Sequence, residues 1–164
     1  MVVDAETLKH WLADYDADNI VIGVVASHSS LQILHGARME GFKTLGIAVG
    51  ENRRRFYKAF PGAEPDEWLM LENYREMLDH AEWFRERNVV IIPHGSLVEY
   101  LGSSNFRALE VPTFGNRGIL HWESSRARQR QCLESGGCTM PRVLEDPHDI
   151  DGPVIVKYAG AKGR

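Results

Sequence analysis

The sequence predicts an α/β fold built on a doubly wound parallel sheet, and three observations lead there. Three short runs, residues 20–25, 44–49 and 89–92, are apolar and rich in Val and Ile without polar alternation, as strands buried on both faces of a parallel sheet require. A turn and then a helical or charged segment follow each run, so the chain reads as βαβ units with right-handed crossovers. The 164 residues are 43% hydrophobic and 26% charged, enough apolar material for the core of one domain and the start of another.

The elements follow in order. Leu8, Trp11, Leu12 and Tyr15 recur at spacings of three and four and make residues 4–15 an amphipathic helix. Residues 20–25 form the first strand. The polar turn Ala26-Ser27-His28-Ser29-Ser30 leads into a second helix carrying Leu31, Ile33, Leu34, Ala37, Arg38 and Phe42, with Gly41 as its stop signal. Residues 44–49 are the second strand; it ends at Gly50, and the basic stretch 51–58 reads as a solvated loop. Residues 72–87 are expected as one charged helix with Tyr74, Leu78, Ala81, Trp83 and Phe84 inward, leading to the strand 89–92. After Pro93-His94-Gly95-Ser96 comes a helix over 97–101, then a fourth short strand at 109–113.

Composition shifts after Asn116. Residues 120–134 read as one polar helix ended by Ser135-Gly136-Gly137, and 141–153 is turn-rich and dense in Asp and Glu. Residues 154–158 read as a strand running into the glycine-rich basic segment 159–164. A strand there needs a partner, so the expectation is a first domain over 1–118 and, over 119–164, the truncated start of a second.

Nineteen Lys and Arg against 23 Asp and Glu give a net charge of -4, which argues against a surface built for nucleic acid. No stretch has the roughly 20 apolar residues of a membrane span, and the first residues lack the basic and apolar regions of a signal peptide. A cytoplasmic protein with neither nucleic-acid nor membrane partners is expected. Cys132 and Cys138 stand at no recognised zinc spacing and read as two reduced thiols.

In an open parallel sheet, ligands collect beyond the carboxyl ends of the strands. Two polar clusters occupy such ends: Ser27-His28-Ser29-Ser30 and His94-Gly95-Ser96. Hydroxyl donors and a histidine at the start of a helix suit an anionic group such as a phosphate; helix capping by the serines is the competing reading. His10, His35, His80 and His148 read as surface residues, and Arg53-Arg54-Arg55 as a solvated run that could meet phosphates. Neither GxGxxG after the first strand nor GxxxxGK[ST] occurs, and no Ser stands in GxSxG. A lysine at 157 beside the Gly-Ala-Lys-Gly-Arg turn could lay an ammonium and backbone N–H groups over a polyphosphate, although a plain turn explains the same residues.

Taken together, several blocks resemble the archaeal formate-dependent 5-formaminoimidazole-4-carboxamide ribonucleotide synthetases, ATP-grasp ligases of purine biosynthesis. They are Ser27-His28-Ser29-Ser30-Leu31, Gly36-Ala37, Glu40-Gly41-Phe42, residues 90–96, 111–117 and 120–124, Asp149-Ile150-Asp151-Gly152 and Val154-Ile155-Val156-Lys157. The likeness runs along the whole chain and covers about the N-terminal half of the family's own. It implies a Rossmann-like pre-ATP-grasp domain followed by the start of an ATP-grasp domain. It also implies an ATP- and formate-dependent formylation of the 5-amino group of aminoimidazole carboxamide ribonucleotide, through formyl phosphate. His28 and Ser96 are then substrate-binding. Lys157, Gly160, Lys162, Gly163 and Arg164 are then ATP-binding, with Mg2+ ligands beyond residue 164, no catalytic residue within the chain and small molecules as partners; a homo-oligomer is compatible with it. The segment Arg53-Arg54-Arg55 departs from the family's usual loop, and residues 1–164 alone are expected to be inactive. A ligase acting on another small amine or ribonucleotide, and a non-catalytic nucleotide-binding module, are the alternative readings.

Overall fold

A computed structural model describes residues 3–157. Its contacts divide the chain into two compact units, 1–117 and 118–164.

The first unit is built on a four-stranded parallel sheet: β1 (Val21–Val25), β2 (Lys43–Val49), β3 (Glu67–Leu71) and β4 (Val89–Ile91), in the spatial order β3-β2-β1-β4. Helix α1 (Ala5–Ala13) precedes the sheet, with the Asp4 side chain accepting from the Thr7 N–H at its start. Helix α2 (Ser30–Met39) crosses from β1 to β2, and Gly41, at φ 82°, turns the chain into the next strand. Helix α3 (Glu51–Tyr57) crosses from β2 to β3, and α4 (Ala81–Glu86) leads back to β4. Because the path moves outward from β1 to β3 and then jumps back past β1, right-handed crossovers put α2 and α3 on one face and α4 on the other. The first face buries Val24, Ala26, Leu34, Ala48, Tyr57 and Ala63. Met77, Phe84, Leu97 and Phe106 are fully buried on the segments that follow β3.

Two glycines permit close approach inside the sheet. A Cβ on Gly23 would stand 2.6 Å from Val89 Cγ1, and one on Gly46 would stand 2.6 Å from Pro65 Cγ and 2.8 Å from the Trp68 ring. Both strands need hydrogen at these positions so that neighbouring side chains can cover them.

The doubly wound parallel sheet matches the sequence expectation, while several elements differ. Residues 51–57 are a helix rather than a loop: Glu51 lies in the first turn and Arg54 and Arg55 in the last, which suits the helix dipole, and Tyr57 is buried against the sheet. Strand β3 was not foreseen. It has no β-branched residue and lies at the sheet edge, its Trp68 ring 5.2 Å from that of Tyr57. The long helix expected over 72–87 is a 3-10 segment, Tyr74–Leu78, followed by α4. The strand expected at 109–113 reduces to a parallel bridge between Ile91 and Thr113. Ile91 N–H donates to Pro112 O and Phe114 N–H to Ile91 O, both at 3.0 Å; proline at 112 has no N–H with which to extend a ladder. Helices α5 (Gly95–Leu101) and α6 (Ser103–Ala108) meet at Gly102, whose φ of 84° makes the corner.

Arg117 closes the unit. It is 7% exposed and donates to the carbonyls of Phe106, Leu109 and Val111. Burial pushes its pKa down to about 10.

The second unit holds α7 (Ile119–Glu123) and α8 (Arg126–Ser135), where one helix was expected over 120–134. The Ser125 side chain accepts from the Arg128 N–H and so starts α8 afresh. Arg128 Nε donates to His121 O at 2.9 Å, and Arg130 pairs with Glu134 at 2.7 Å. The strand expected at 154–158 is absent over its described part: Val154–Lys157 is irregular and exposed, with Ile155 and Val156 each 83% exposed. No strand pairs with it among the described residues, and an unpaired segment gains no ladder hydrogen bonds. Tyr158 and the glycine-rich stretch lie outside the described residues.

Candidate functional site

In the order β3-β2-β1-β4 the chain's direction of winding reverses beside β1. The crevice above the carboxyl ends of β1 and β4 is therefore the topological switch point, where open α/β sheets bind ligands. Both polar clusters lead away from it. Ser27 to Ser30 follow β1, and His94 to Ser96 follow β4, its direct neighbour.

The turn after β1 is closed by its own hydroxyls. Ser27 N–H donates to Ser30 Oγ at 2.9 Å, Ser29 N–H to Ser27 Oγ at 3.2 Å, and Ser30 Oγ to Ser27 O at 2.8 Å. The fully buried Tyr57 hydroxyl donates to Ser27 O at 2.7 Å and also meets Ser30 Oγ. Ser27 and Ser30 are thus buried structural groups, which is the capping reading of the serines and not that of free donors to a ligand. His28, held at the apex of this turn, is exposed.

His94 is half-buried, and its Nε2 lies 3.0 Å from Val25 O at the end of β1. A carbonyl can only accept, so Nε2 carries the proton and Nδ1 presents a lone pair. Burial lowers the pKa of His94; the bond to Val25 opposes this, and the nearby His28 adds to it. The ring is therefore neutral at pH 7, an acceptor at Nδ1. That atom and Thr113 Oγ1, beside the end of β4, are buried without a hydrogen-bond partner among the described residues. Ser96, 7% exposed, lies in the first turn of α5.

A cavity of about 340 Å³ opens beside the β1 turn, lined by Ser27, His28, Asn52, Arg53, Phe56 and Tyr57. Arg53, which reads in the sequence as part of a solvated run that could meet phosphates, is singled out here from its two neighbours. It reaches from α3 across the sheet edge, donating from Nη1 to Ala26 O at 3.3 Å and from Nη2 to the Tyr100 hydroxyl of α5 at 3.0 Å. Its guanidinium lies 5.1 Å from the centre of the Tyr100 ring, which stacks on Tyr74 at 4.9 Å. One signal was available: Arg53 stands three residues after Gly50, just past the end of β2, and so obeys the strand-end rule that singled out the other two clusters. A slightly larger hollow of about 400 Å³ lies at the opposite edge of the sheet, between Asp16, Lys43, Glu67 and Arg87. It faces the strands' amino ends, away from both histidine clusters, and is not taken as the site.

Of the residues assigned to ATP, Lys157 lies exposed on the irregular segment of the second unit. Gly160, Lys162, Gly163 and Arg164 lie outside the described residues. Among the described residues no group of three or more His, Cys, Asp or Glu is placed to hold a metal ion. Nor is any described helix long and apolar enough to cross a membrane.

Residues 22–144 match the model of a family described as a protein of unknown function, DUF1246. The chain is 52% identical over 162 residues to the 5-formaminoimidazole-4-carboxamide-1-(beta)-D-ribofuranosyl 5'-monophosphate synthetase 1 of Methanosarcina mazei, covering 99% of this chain and 45% of that protein. It is 46% identical, with the same coverage of each, to the synthetase of that name from Korarchaeum cryptofilum. Among solved structures it is similar to an IMP biosynthesis protein PurP from Thermococcus kodakaraensis, with a TM-score of 0.62 and 37% identity over 79% of this chain and 41% of that one. The chain thus spans a little under half the length of the curated relatives it matches.

Proposed function

The chain belongs to the DUF1246 family, and on that premise we propose that it is the ribonucleotide-holding part of a formate-dependent ligase of purine biosynthesis. The reaction has two steps. A formate oxygen takes the γ-phosphoryl group of ATP, giving formyl phosphate and ADP. The 5-amino nitrogen of aminoimidazole carboxamide ribonucleotide then attacks the formyl carbon, phosphate leaves, and the nitrogen loses a proton to give the formamido ribonucleotide.

Catalysis of this kind is mostly positioning, and the first unit supplies it at the switch-point crevice. His28 contacts the ribonucleotide from the β1 turn, and Ser96 contacts it from the start of α5. His94, neutral and anchored through Nε2 to Val25 O, offers Nδ1 as a fixed acceptor for a substrate N–H. Lys157, Gly160, Lys162, Gly163 and Arg164 serve the ATP phosphates in the opening of an ATP-grasp domain over 119–164. The metal ligands belong to residues other than those described.

One observation carries this reading: two histidine-and-serine clusters, 64 or more positions apart in the chain, follow the two adjacent strands that flank the switch point. Calorimetric titration of the 164-residue chain tests it. The ribonucleotide should bind weakly and ATP hardly at all, because on this reading the chain carries only the first part of each site. Tight ATP binding would show that the nucleotide site is misassigned, and absence of any ribonucleotide binding would remove the reading itself.

A further inference from the structure

We infer that Arg53 anchors the phosphate monoester of the ligand that occupies the His28 cavity. The inference rests on the proposed function for the identity of that ligand and on the geometry of Arg53 for the anchor.

Arg53 is a cation without a counter-ion. Its neighbour Arg54 is exposed and pairs with Glu51 at 3.9 Å, whereas Arg53 makes no ion pair among the described residues. The side chain is half-buried and held from three sides by the Ala26 carbonyl, the Tyr100 hydroxyl and the Tyr100 ring, none of them negatively charged. Burial works against the charge, but the bond to Tyr100 and the neighbouring tyrosines outweigh it, so the guanidinium stays charged; with no ion pair to balance it among the described residues, a bound anion gains a charge-assisted attraction there. A guanidinium has five N–H donors, and the two bonds to Ala26 and Tyr100 leave others for a ligand.

The surroundings select the anion. His28 from the β1 turn and Asn52 from α3 line the same cavity and are exposed to it, so donors from two elements converge with Arg53. Such a set suits a tetrahedral dianion with three peripheral oxygens better than a flat monoanion such as formate. Phe56, on the same wall, supplies apolar surface for the sugar. The phosphoryl groups of ATP share the chemistry of the monoester, and the test must separate them.

The experiment titrates wild-type protein, Arg53→Gln and Arg53→Lys with the ribonucleotide, with the corresponding riboside lacking the phosphate, with ATP and with formate, and includes a melting curve for each variant. Arg53→Gln should weaken the ribonucleotide about ten- to 150-fold, the range for a lost bond between charged groups, and leave the riboside, ATP and formate within twofold. Arg53→Lys should fall between, since a point charge keeps the attraction and loses the fork. An equal loss for ribonucleotide and riboside, no loss at all, or a loss confined to ATP or formate each overturns the anchor. If the wild type fails to bind the ribonucleotide, the proposed function falls, and inorganic phosphate decides the anchor alone. Phosphate should then shift the His28 imidazole resonances in the wild type and not in Arg53→Gln; equal behaviour in the two proteins overturns it.

Discussion

Replacing Tyr57 by Phe removes one oxygen from the most enclosed contact beneath the candidate site. The ring stays: it packs edge-on to Phe56 at 5.6 Å and to Trp68 at 5.2 Å, and nothing in those contacts depends on the hydroxyl. What is lost is the 2.7 Å bond to Ser27 O and the contact with Ser30 Oγ. Ser27 O keeps the Ser30 hydroxyl as a donor at 2.8 Å, so no acceptor is stranded and the loss lies at the modest end, about 1–2 kcal/mol for two neutral contacts. For a chain of this length that lowers Tm by about 2–8 °C, readable by scanning calorimetry or as a lower denaturation midpoint at unchanged slope. Its pH dependence is a second check. Burial raises the Tyr57 pKa above its ordinary value of 10, so the neutral hydroxyl stabilises the fold fully below pH 10, and this contribution is lost as pH climbs through the folded-state pKa. The gap between wild type and Tyr57→Phe should therefore be constant from pH 6 to 9 and narrow above pH 10. Because the same hydroxyl holds the turn that carries His28, ribonucleotide binding should weaken as well. A variant that melts within 1 °C of the wild type would refute the claim that this hydroxyl ties the turn to the core.

Other perturbations separate the remaining roles. On the proposed function, in a chain that spans the whole length of its relatives, His28→Ala should raise KM for the ribonucleotide about ten- to 150-fold with ATP nearly unaffected, and Lys157→Ala should do the reverse; steady-state kinetics with each substrate varied in turn would expose equal losses, which contradict that division of labour. His94 titrates below its ordinary value of 6.5 because it is buried, so the unfolded chain takes up its proton first and stability falls as pH drops below about 6.5; His94→Gln should flatten that limb of a Tm-against-pH curve. Gly46→Ala should cost about 1–3 kcal/mol through overpacking, since its Cβ would meet the stiff rings of Pro65 and Trp68, and a melting curve within 1 °C of wild type would show the edge strand to be more yielding. Arg117→Lys, with one ammonium where three carbonyls now share a guanidinium, should lower Tm by several degrees, as loss of about 1.5–3 kcal/mol implies.

The candidate site was legible in part. His28 and Ser96 stand out in the sequence because each follows an apolar strand in a short polar turn, and the structure shows those strands, β1 and β4, to be neighbours. Ser27 and Ser30 carried the same signal and turned out to be buried in the turn's own hydrogen bonds; a serine that caps and a serine that binds look alike until the acceptors around them are known. Arg53 was read as one of three solvated cations that could meet phosphates, with nothing to tell it from the other two. Only the helical phase of α3 directs it toward Tyr100 and Ala26 while Arg54 remains exposed.

By itself the sequence determined the parallel, doubly wound character of the first unit, since strands buried on both faces leave a continuous apolar run and the crossovers between them have a fixed hand. Such patterns are local, set by which residues must leave water within a few positions of one another. The tertiary structure decided everything that depends on a distant partner. Edge strand β3 exists because β2 presents a free ladder and a hydrogen at Gly46 for Pro65 and Trp68 to cover, whereas residues 154–157, richer in β-branched side chains, remain irregular with no strand beside them among the described residues. A strand's stability lies in hydrogen bonds to its neighbour and in the face it buries, and both are supplied by residues far away in the chain.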